Sequence, residues 1–119
     1  MTGEDPQNIE RDFKTTLGFL RREAPETIEA FLNILRSTHK QGALSIKEKE
    51  LISLGIALYA KCEPCIVLHT KSALEAGATM KELVETCEVA IAMGGSPTLS
   101  YTSVLLKAVE KFSQKPSTP

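Results

Sequence analysis

Four side chains between positions 50 and 69 have the types and spacing of a redox or metal site. The segment contains Cys62-Glu63-Pro64-Cys65 and, four residues later, His69. Successive residues of an α-helix are about 100° apart, so Cys62, Cys65 and His69 fall on one stripe of a helix. A proline is tolerated in the first turn of a helix but not in its interior, so this helix is expected to begin at the cysteines.

A thiol at a helix N-terminus is activated by its surroundings. Unpaired backbone N–H groups and the positive end of the helix macrodipole favour the thiolate over the thiol. His69 is four residues after Cys65, so its imidazole can accept the thiol proton directly or through a water molecule. Two cysteines separated by two residues can also close a small disulfide. The segment therefore predicts a cycle between dithiol and disulfide.

Glu50 is expected to join this group from the preceding helix. It lies at the start of an almost wholly apolar segment, where a carboxylate is costly unless it has a partner. If the two helices pack antiparallel, His69 or a cysteine thiol is the natural partner. We predict that Glu50 orients His69 and takes up its proton, or acts as the base itself.

The same residue types allow two other interpretations. A Cys-x-x-Cys pair supplies half of a zinc ligand set, with His69 as a third ligand and Glu50 or Cys87 as a fourth. Structural zinc ligands usually come as two separated pairs, which disfavours this site. Buried, reduced cysteines with a purely structural role are the other interpretation. A thioredoxin fold is excluded, because it requires a βαβ context and the sequence has no alternating strand pattern.

Six helices in a single all-α domain are predicted to position these residues. Two capping boxes, Ser45 with Glu48 and Thr79 with Glu82, mark helix starts. Within each box, the side chain of one residue can accept a hydrogen bond from the backbone N–H of the other. The second helix is expected to end within residues 38–42, where Gly42 suits a left-handed C-terminal cap. The helices are predicted to begin after Asn8 and at Pro25, Ser45, Cys62, Thr79 and Ser96.

The third helix is apolar on nearly all sides between Leu51 and Ala60. Such a helix is expected to be buried on nearly all sides, in its own core or against another subunit. Small residues around Gly94-Gly95 add to the apolar surface that six short helices must cover. Together these features predict a homo-oligomer.

The spacing of the four side chains resembles the core motif of the alkyl hydroperoxidase D family, within the carboxymuconolactone decarboxylase-like superfamily. The motif runs Glu50, eleven residues, Cys62-x-x-Cys65, three residues, His69. The resemblance covers about residues 25 to 112, and we interpret residues 1–119 as one domain with a disordered tail at 114–119. Further similarity lies in residues 54–57, 76–79 and 90–95.

The resemblance implies a bundle of about six helices that assembles through trimers, often into hexamers. It also implies a thiol-dependent peroxidase with no cofactor beyond a redox-active Cys62–Cys65 disulfide. In such enzymes the second cysteine, here Cys65, attacks the peroxide as a thiolate, and the first, here Cys62, resolves the sulfenic acid. Glu50 and His69 would relay protons, and an external dithiol reductant would restore the thiols.

One position departs from the family pattern. The best-known members have a histidine immediately before the second cysteine, where this chain has Pro64 after Glu63. Glu63 repels a neighbouring thiolate, although a carboxylate suits a helix N-terminus. Disulfide reduction of a protein or small molecule without a peroxide step is therefore the second predicted function. A non-enzymatic metal-binding or assembly protein is the third, and decarboxylation is not expected because decarboxylase members generally lack the cysteine pair.

The composition limits the partners that we expect. The 119 residues include 14 basic and 15 acidic side chains, which leaves no basic excess for nucleic acid or anionic lipid. No apolar run approaches the roughly 18 residues needed to span a bilayer, and the N-terminus has no signal-peptide pattern. We therefore expect a cytoplasmic protein that acts on a small hydroperoxide or disulfide.

The remaining cysteine and histidine are predicted to be structural. Cys87 has no partner at motif spacing and lies among apolar residues, which is typical of a core cysteine. His39 lies at the end of a helix and is followed by Lys40, which favours a C-terminal capping or solvent-exposed role.

Overall fold

A computed structural model describes residues 4–113, which form six α-helices joined by short connections. This part of the chain contains no strand, so the all-α prediction is confirmed; the tail at 114–119 lies outside the described residues. None of the six helices combines the length and the apolar run needed to cross a bilayer. The helices are α1 Pro6–Glu23, α2 Pro25–Thr38, α3 Ile46–Ala60, α4 Glu63–Glu75, α5 Met80–Gly94 and α6 Ser96–Phe112.

Two capping boxes fix the starts of α3 and α5, as predicted. Ser45 Oγ accepts from the Glu48 N–H at 3.0 Å, and the Glu48 carboxylate accepts from the Ser45 N–H at 2.7 Å. Thr79 and Glu82 make the same pair of hydrogen bonds at 3.2 and 2.8 Å. Each cap stabilises its helix by about 1 kcal/mol. The first box sets the register that places Glu50 in the early turns of α3.

The first helix starts earlier than predicted. α1 begins at Pro6 and not after Asn8, because the Asp5 side chain accepts from the Gln7 N–H at 2.8 Å and caps the helix. Pro6 suits the first helical position, because a backbone N–H there has no partner within the helix and its absence costs nothing. The proline ring also fixes φ close to the helical value.

The second helix ends in the predicted region, but its cap differs from the prediction. α2 ends at Thr38 with His39 as its C-cap at φ −96°, and the His39 N–H donates to the Leu35 carbonyl at 3.1 Å. The left-handed cap expected at Gly42 is wrong, since Gly42 does not have a positive φ. His39, and not a glycine, therefore caps this helix.

The core lies among α3, α4, α5 and α6, and α1 packs against α4 and α6. Among the helices, α2 packs only against α1, and none of its residues is buried. Aliphatic side chains fill the core, and the largest fully buried ones are Leu54, Leu58, Ile66, Leu83 and Leu105.

The α3 helix is not buried on all sides within one chain. Leu54 and Leu58 are fully buried, but the outward side chains of Ile56 and Tyr59 remain 64% and 54% exposed. The expectation of burial within the chain's own core is wrong for this face, because none of the six helices within residues 4–113 covers it. The face forms one wall of an open apolar groove of about 530 Å³ between α3 and α5, which also includes Val89 and Met93.

Candidate functional site

The connection between α3 and α4 brings the two motif cysteines together. Lys61 ends α3 in the left-handed conformation at φ 58°, so the chain turns sharply into α4. Cys62 is the N-cap of α4 and Cys65 lies in its first turn, with Cα atoms 5.3 Å apart and the sulfurs joined in a disulfide. The Cys65 N–H donates to Cys62 Sγ at 3.3 Å. The pair is therefore in its oxidised form at a helix N-terminus.

Glu50 and His69 form the contact that the sequence suggested. Nδ1 of His69 donates to Oε1 of Glu50 at 2.8 Å, and the side chains are 28% and 12% exposed, respectively. A carboxylate can only accept, so Nδ1 carries a proton, and in the neutral ring Nε2 is the nitrogen with the free lone pair. The hydrogen bond joins α3 to α4 and fixes the orientation of the imidazole on the helix that begins at the disulfide.

His39 lies beside this pair. Its ring stacks on that of His69, with centroids 6.0 Å apart and planes 14° from parallel. Nδ1 of His39 is 3.0 Å from the Leu35 carbonyl, and Nε2 is 2.9 Å from the Ser53 hydroxyl. His39 is the C-cap of α2, one of the two predicted roles, and its side chain is half-buried. No local pattern indicated the stacking, because it depends on how His39, the residue after α2, meets α3 and α4.

Cys87 is separate from this chemistry. The side chain belongs to the core cluster and is only 6% exposed, as predicted. Burial raises the pKa of the Cys87 thiol, and a hydrogen bond with Thr102 opposes part of that rise. The neutral thiol is therefore the stable form, and a neutral thiol is a poor nucleophile.

An open cleft of about 340 Å³ borders the turn that contains the cysteines. Pro64 forms part of its wall, together with the apolar side chains of Ile9 and Phe13 from α1. Three carboxylates also line it, those of Glu4, Asp12 and Glu63. The sequence did not indicate this cleft, because α1 lies outside the motif and reaches the site only through tertiary packing.

One cluster within residues 4–113 has the ligand types and spacing of a metal site. His39, Glu50 and His69 each offer one ligand atom, and these atoms all lie within 4.8 Å of one another. The zinc set considered from the sequence is different, since it combined the two motif cysteines with His69 and either Glu50 or Cys87. Disulfide sulfurs are not thiolates and Cys87 is in the core, so that set is not assembled here.

The sequence also matches a known protein family. The model of the carboxymuconolactone decarboxylase family matches residues 23–108, which is most of the chain. The chain belongs to the carboxymuconolactone decarboxylase family. All four motif side chains discussed above, from Glu50 to His69, lie within the matched residues.

Solved structures of carboxymuconolactone decarboxylase family proteins have the same fold. One from Legionella pneumophila, solved in its apo form, is 37% identical with a TM-score of 0.90, covering 94% of this chain and 100% of that one. Another from Thermotoga maritima, described as a candidate for involvement in an antioxidative response, is 25% identical with a TM-score of 0.70. That alignment covers 73% of this chain and 90% of the other.

A relative is also found by sequence. An uncharacterized protein of Cupriavidus necator is 33% identical over 102 residues, which cover 80% of this chain and 90% of that protein.

Proposed function

We propose that this protein is a thiol-dependent peroxidase that reduces hydroperoxides through a dithiol–disulfide cycle of Cys62 and Cys65. The observation that supports it most is that the Cys62–Cys65 disulfide lies at the start of α4, the same helix that carries His69 in its hydrogen bond with Glu50 of α3. The antioxidative description of the Thermotoga maritima relative is consistent with this chemistry. No cofactor beyond the disulfide is needed.

The proposed cycle begins with the reduced pair. The Cys65 thiolate attacks the terminal oxygen of the hydroperoxide, the O–O bond breaks, and the alcohol leaves after its oxygen takes a proton. Cys65 is then a sulfenic acid, and Cys62 attacks its sulfur to form the disulfide while the hydroxyl leaves as water. An external dithiol supplies two electrons and two protons to reopen the disulfide.

Glu50 and His69 are the proposed proton relay in this cycle. Nε2 of His69 takes the thiol proton and returns it to the departing alkoxide. The carboxylate of Glu50 holds the opposite nitrogen of the ring at 2.8 Å, which stabilises the imidazolium that forms between these steps. Glu50 therefore acts as a positioning and charge-stabilising residue.

Disulfide reduction is the second candidate function, because one hydrogen bond favours it. The Cys65 N–H donates to Cys62 Sγ, so after reduction the helix N-terminus stabilises a thiolate on Cys62 more directly than one on Cys65. A Cys62 thiolate could attack a substrate disulfide and form a mixed disulfide. Cys65 would then attack Cys62 Sγ, re-form the Cys62–Cys65 disulfide and release the second substrate thiol. Peroxide reduction led by Cys65 and disulfide reduction led by Cys62 therefore differ in which cysteine acts first.

The cleft beside the cysteines suggests which substrates each reaction would accept. Its apolar walls from Ile9, Phe13 and Pro64 suit an alkyl group, and the carboxylates of Glu4, Asp12 and Glu63 repel anions. We infer a preference for neutral, moderately apolar hydroperoxides over anionic ones such as fatty-acid hydroperoxides. The repulsion is sensitive to salt because the cleft is open to solvent.

We also propose that the active protein is a homo-oligomer, a trimer or a hexamer. The apolar groove between α3 and α5 leaves Ile56, Tyr59, Val89 and Met93 more than half exposed in the single chain. A contiguous apolar surface of this kind is typical of a subunit interface. A second copy of the chain would supply the burial that the sequence pattern of α3 predicts.

Thiol counting tests the proposed function. Reduced protein mixed with cumene hydroperoxide should lose two thiols per chain, and the loss should be absent in Cys65→Ser. In Cys62→Ser a sulfenic acid should persist, and dimedone, which labels this group, should detect it. Thiol loss with a disulfide substrate but none with the hydroperoxide would replace the leading function by the second candidate.

A further inference from the structure

The only two histidines of the chain meet in space from separate helices. His39 follows α2 and His69 lies in α4, yet their rings stack with centroids 6.0 Å apart. Glu50 of α3 is hydrogen-bonded to His69, and one ligand atom from each residue lies within 4.8 Å of the others. Two imidazoles and one carboxylate suit divalent zinc and its neighbours in the first transition row. We infer that His39, Glu50 and His69 bind a divalent transition-metal ion of the zinc class.

The contacts around His39 prepare it to act as a ligand. Its Nδ1–H donates to the Leu35 carbonyl at 3.0 Å, a second contact of the kind that orients metal-binding histidines and fixes their tautomer. In the neutral ring Nε2 then has the free lone pair, and the Ser53 hydroxyl, 2.9 Å away, donates to it. A metal ion takes the place of that hydroxyl at Nε2.

The Glu50–His69 hydrogen bond is replaced when the ion binds. Bonds from the ion to Oε1 and Nδ1 form, and the proton now shared by these two atoms at 2.8 Å leaves to solvent. Zinc bonds to nitrogen and oxygen are about 2.0–2.2 Å long, which puts the ligand atoms of a tetrahedral ion roughly 3.3–3.6 Å apart. The Glu50–His69 pair therefore opens from 2.8 Å, and the widest separation in the cluster, at most 4.8 Å, shortens by on the order of 1 Å. The movement costs little, because α2, which ends just before His39, has no buried residue.

Three protein ligands leave a fourth position of a tetrahedral ion open to water or another small molecule. The site also uses both members of the proposed proton relay, so a bound ion would stop His69 from exchanging the thiol proton. Only this inhibition rests on the proposed function. Ion binding is a property of the imidazoles and the carboxylate, and it persists when the cysteines are oxidised.

Calorimetric titration of Zn²⁺ into the oxidised Cys87→Ala protein tests the site. The chain has three cysteines, so with one replaced and two in the disulfide no thiol remains to bind zinc. We expect about one ion per chain, and His39→Gln in the same background should weaken binding by about tenfold or more. Ser53→Ala is the matched control, since it removes the contact to the same nitrogen but no ligand, and its affinity should not fall.

Absence of zinc binding, or binding that His39→Gln leaves unchanged, would overturn the site. An equal loss in His39→Gln and Ser53→Ala would overturn it as well, because packing and not ligation would then explain both. Circular dichroism of each variant reports retention of the helices, and Glu50→Gln provides a second ligand variant if His39→Gln loses them. Because the titration needs no turnover, it gives its answer even if the protein reduces no peroxide.

Discussion

Nδ1 of His69 lies 2.8 Å from Oε1 of Glu50, and this hydrogen bond links the apolar helix α3 to the helix that begins at the disulfide. Glu50 is one of few carboxylates in this chain with a side chain as little as 12% exposed. A carboxylate at that depth needs a donor to offset its lost hydration. The pair therefore serves packing and, as proposed, proton transfer.

Glu50→Gln should slow peroxide-driven thiol loss by about 100-fold, within the range typical of general acid–base groups. The glutamine oxygen can still accept from Nδ1, so the ring keeps its orientation, but the negative charge that stabilises the imidazolium is gone. Stopped-flow kinetics of reduced protein with excess hydroperoxide measures the change. Glu48→Gln is the control, because that carboxylate caps α3 and has no part in the relay. Equal rates in Glu50→Gln and the unmodified protein would remove Glu50 from the mechanism.

Pro64→His should raise the rate of the peroxide step by about tenfold. A positively charged imidazole next to Cys65 increases the thiolate fraction of a cysteine, and the second position of α4 accepts residues other than proline. Pro64→Ala separates the new charge from the loss of the rigid ring. Thiolate absorbance followed against pH, together with the peroxide rate, checks both effects. If the alanine and histidine variants accelerate the reaction alike, the rigidity of Pro64 limits the rate, and charge does not.

The sequence predicted what depends on neighbours along the chain. The capping boxes at Ser45 and Thr79, the helix start at the cysteines and the core position of Cys87 all follow from residues within a few positions of one another. The contact between Glu50 and His69 could also be predicted, since a short connection folds α3 back along α4. These features depend on residues close together in the sequence, or on two helices joined by a short connection.

What the sequence could not predict depends on distant packing. His39, the residue after α2, reaches Ser53 of α3 and His69 of α4 only through tertiary packing, and no spacing rule connects those segments. The exposed face of α3 around Ile56 has the same origin. An apolar pattern specifies that a face should be buried, but it does not specify whether the partner is the same chain or another copy.

Glu10→Gln should destabilise the protein by about 1 kcal/mol at neutral pH and much less in acid. Lys71 Nζ donates to Glu10 at 2.8 Å and ties α4 to α1. This hydrogen bond holds the pKa of Glu10 below its ordinary value of 4.5, although burial opposes it. A depressed carboxyl pKa contributes stability above the unfolded-state value, and that stability is lost as the pH falls through the folded-state value.

Urea denaturation at pH 7 and at acidic pH measures this difference. The gap between unmodified protein and Glu10→Gln should shrink steadily as the pH falls below about 4.5. Glu29→Gln is the matched control, since its ion pair with Arg21 is far more exposed and exposed pairs contribute little. A gap that stays constant down to pH 3 would show that Glu10 stabilises by packing and not by charge.

Ile56→Lys should convert the proposed oligomer into monomers. The Ile56 side chain is 64% exposed in the single chain, so the substitution disturbs little packing within the fold and the helical circular dichroism should not change. Burying that side chain against a second copy would be worth roughly 1–2 kcal/mol, whereas burying an unpaired lysine would cost several. Sedimentation velocity should show a trimer or hexamer for the unmodified protein and a single slow species for Ile56→Lys.

Leu106→Lys is the control, because Leu106 is an exposed leucine of α6 that does not line the groove. A monomeric unmodified protein would contradict the proposed interface, and dissociation by Leu106→Lys alone would move that interface to α6.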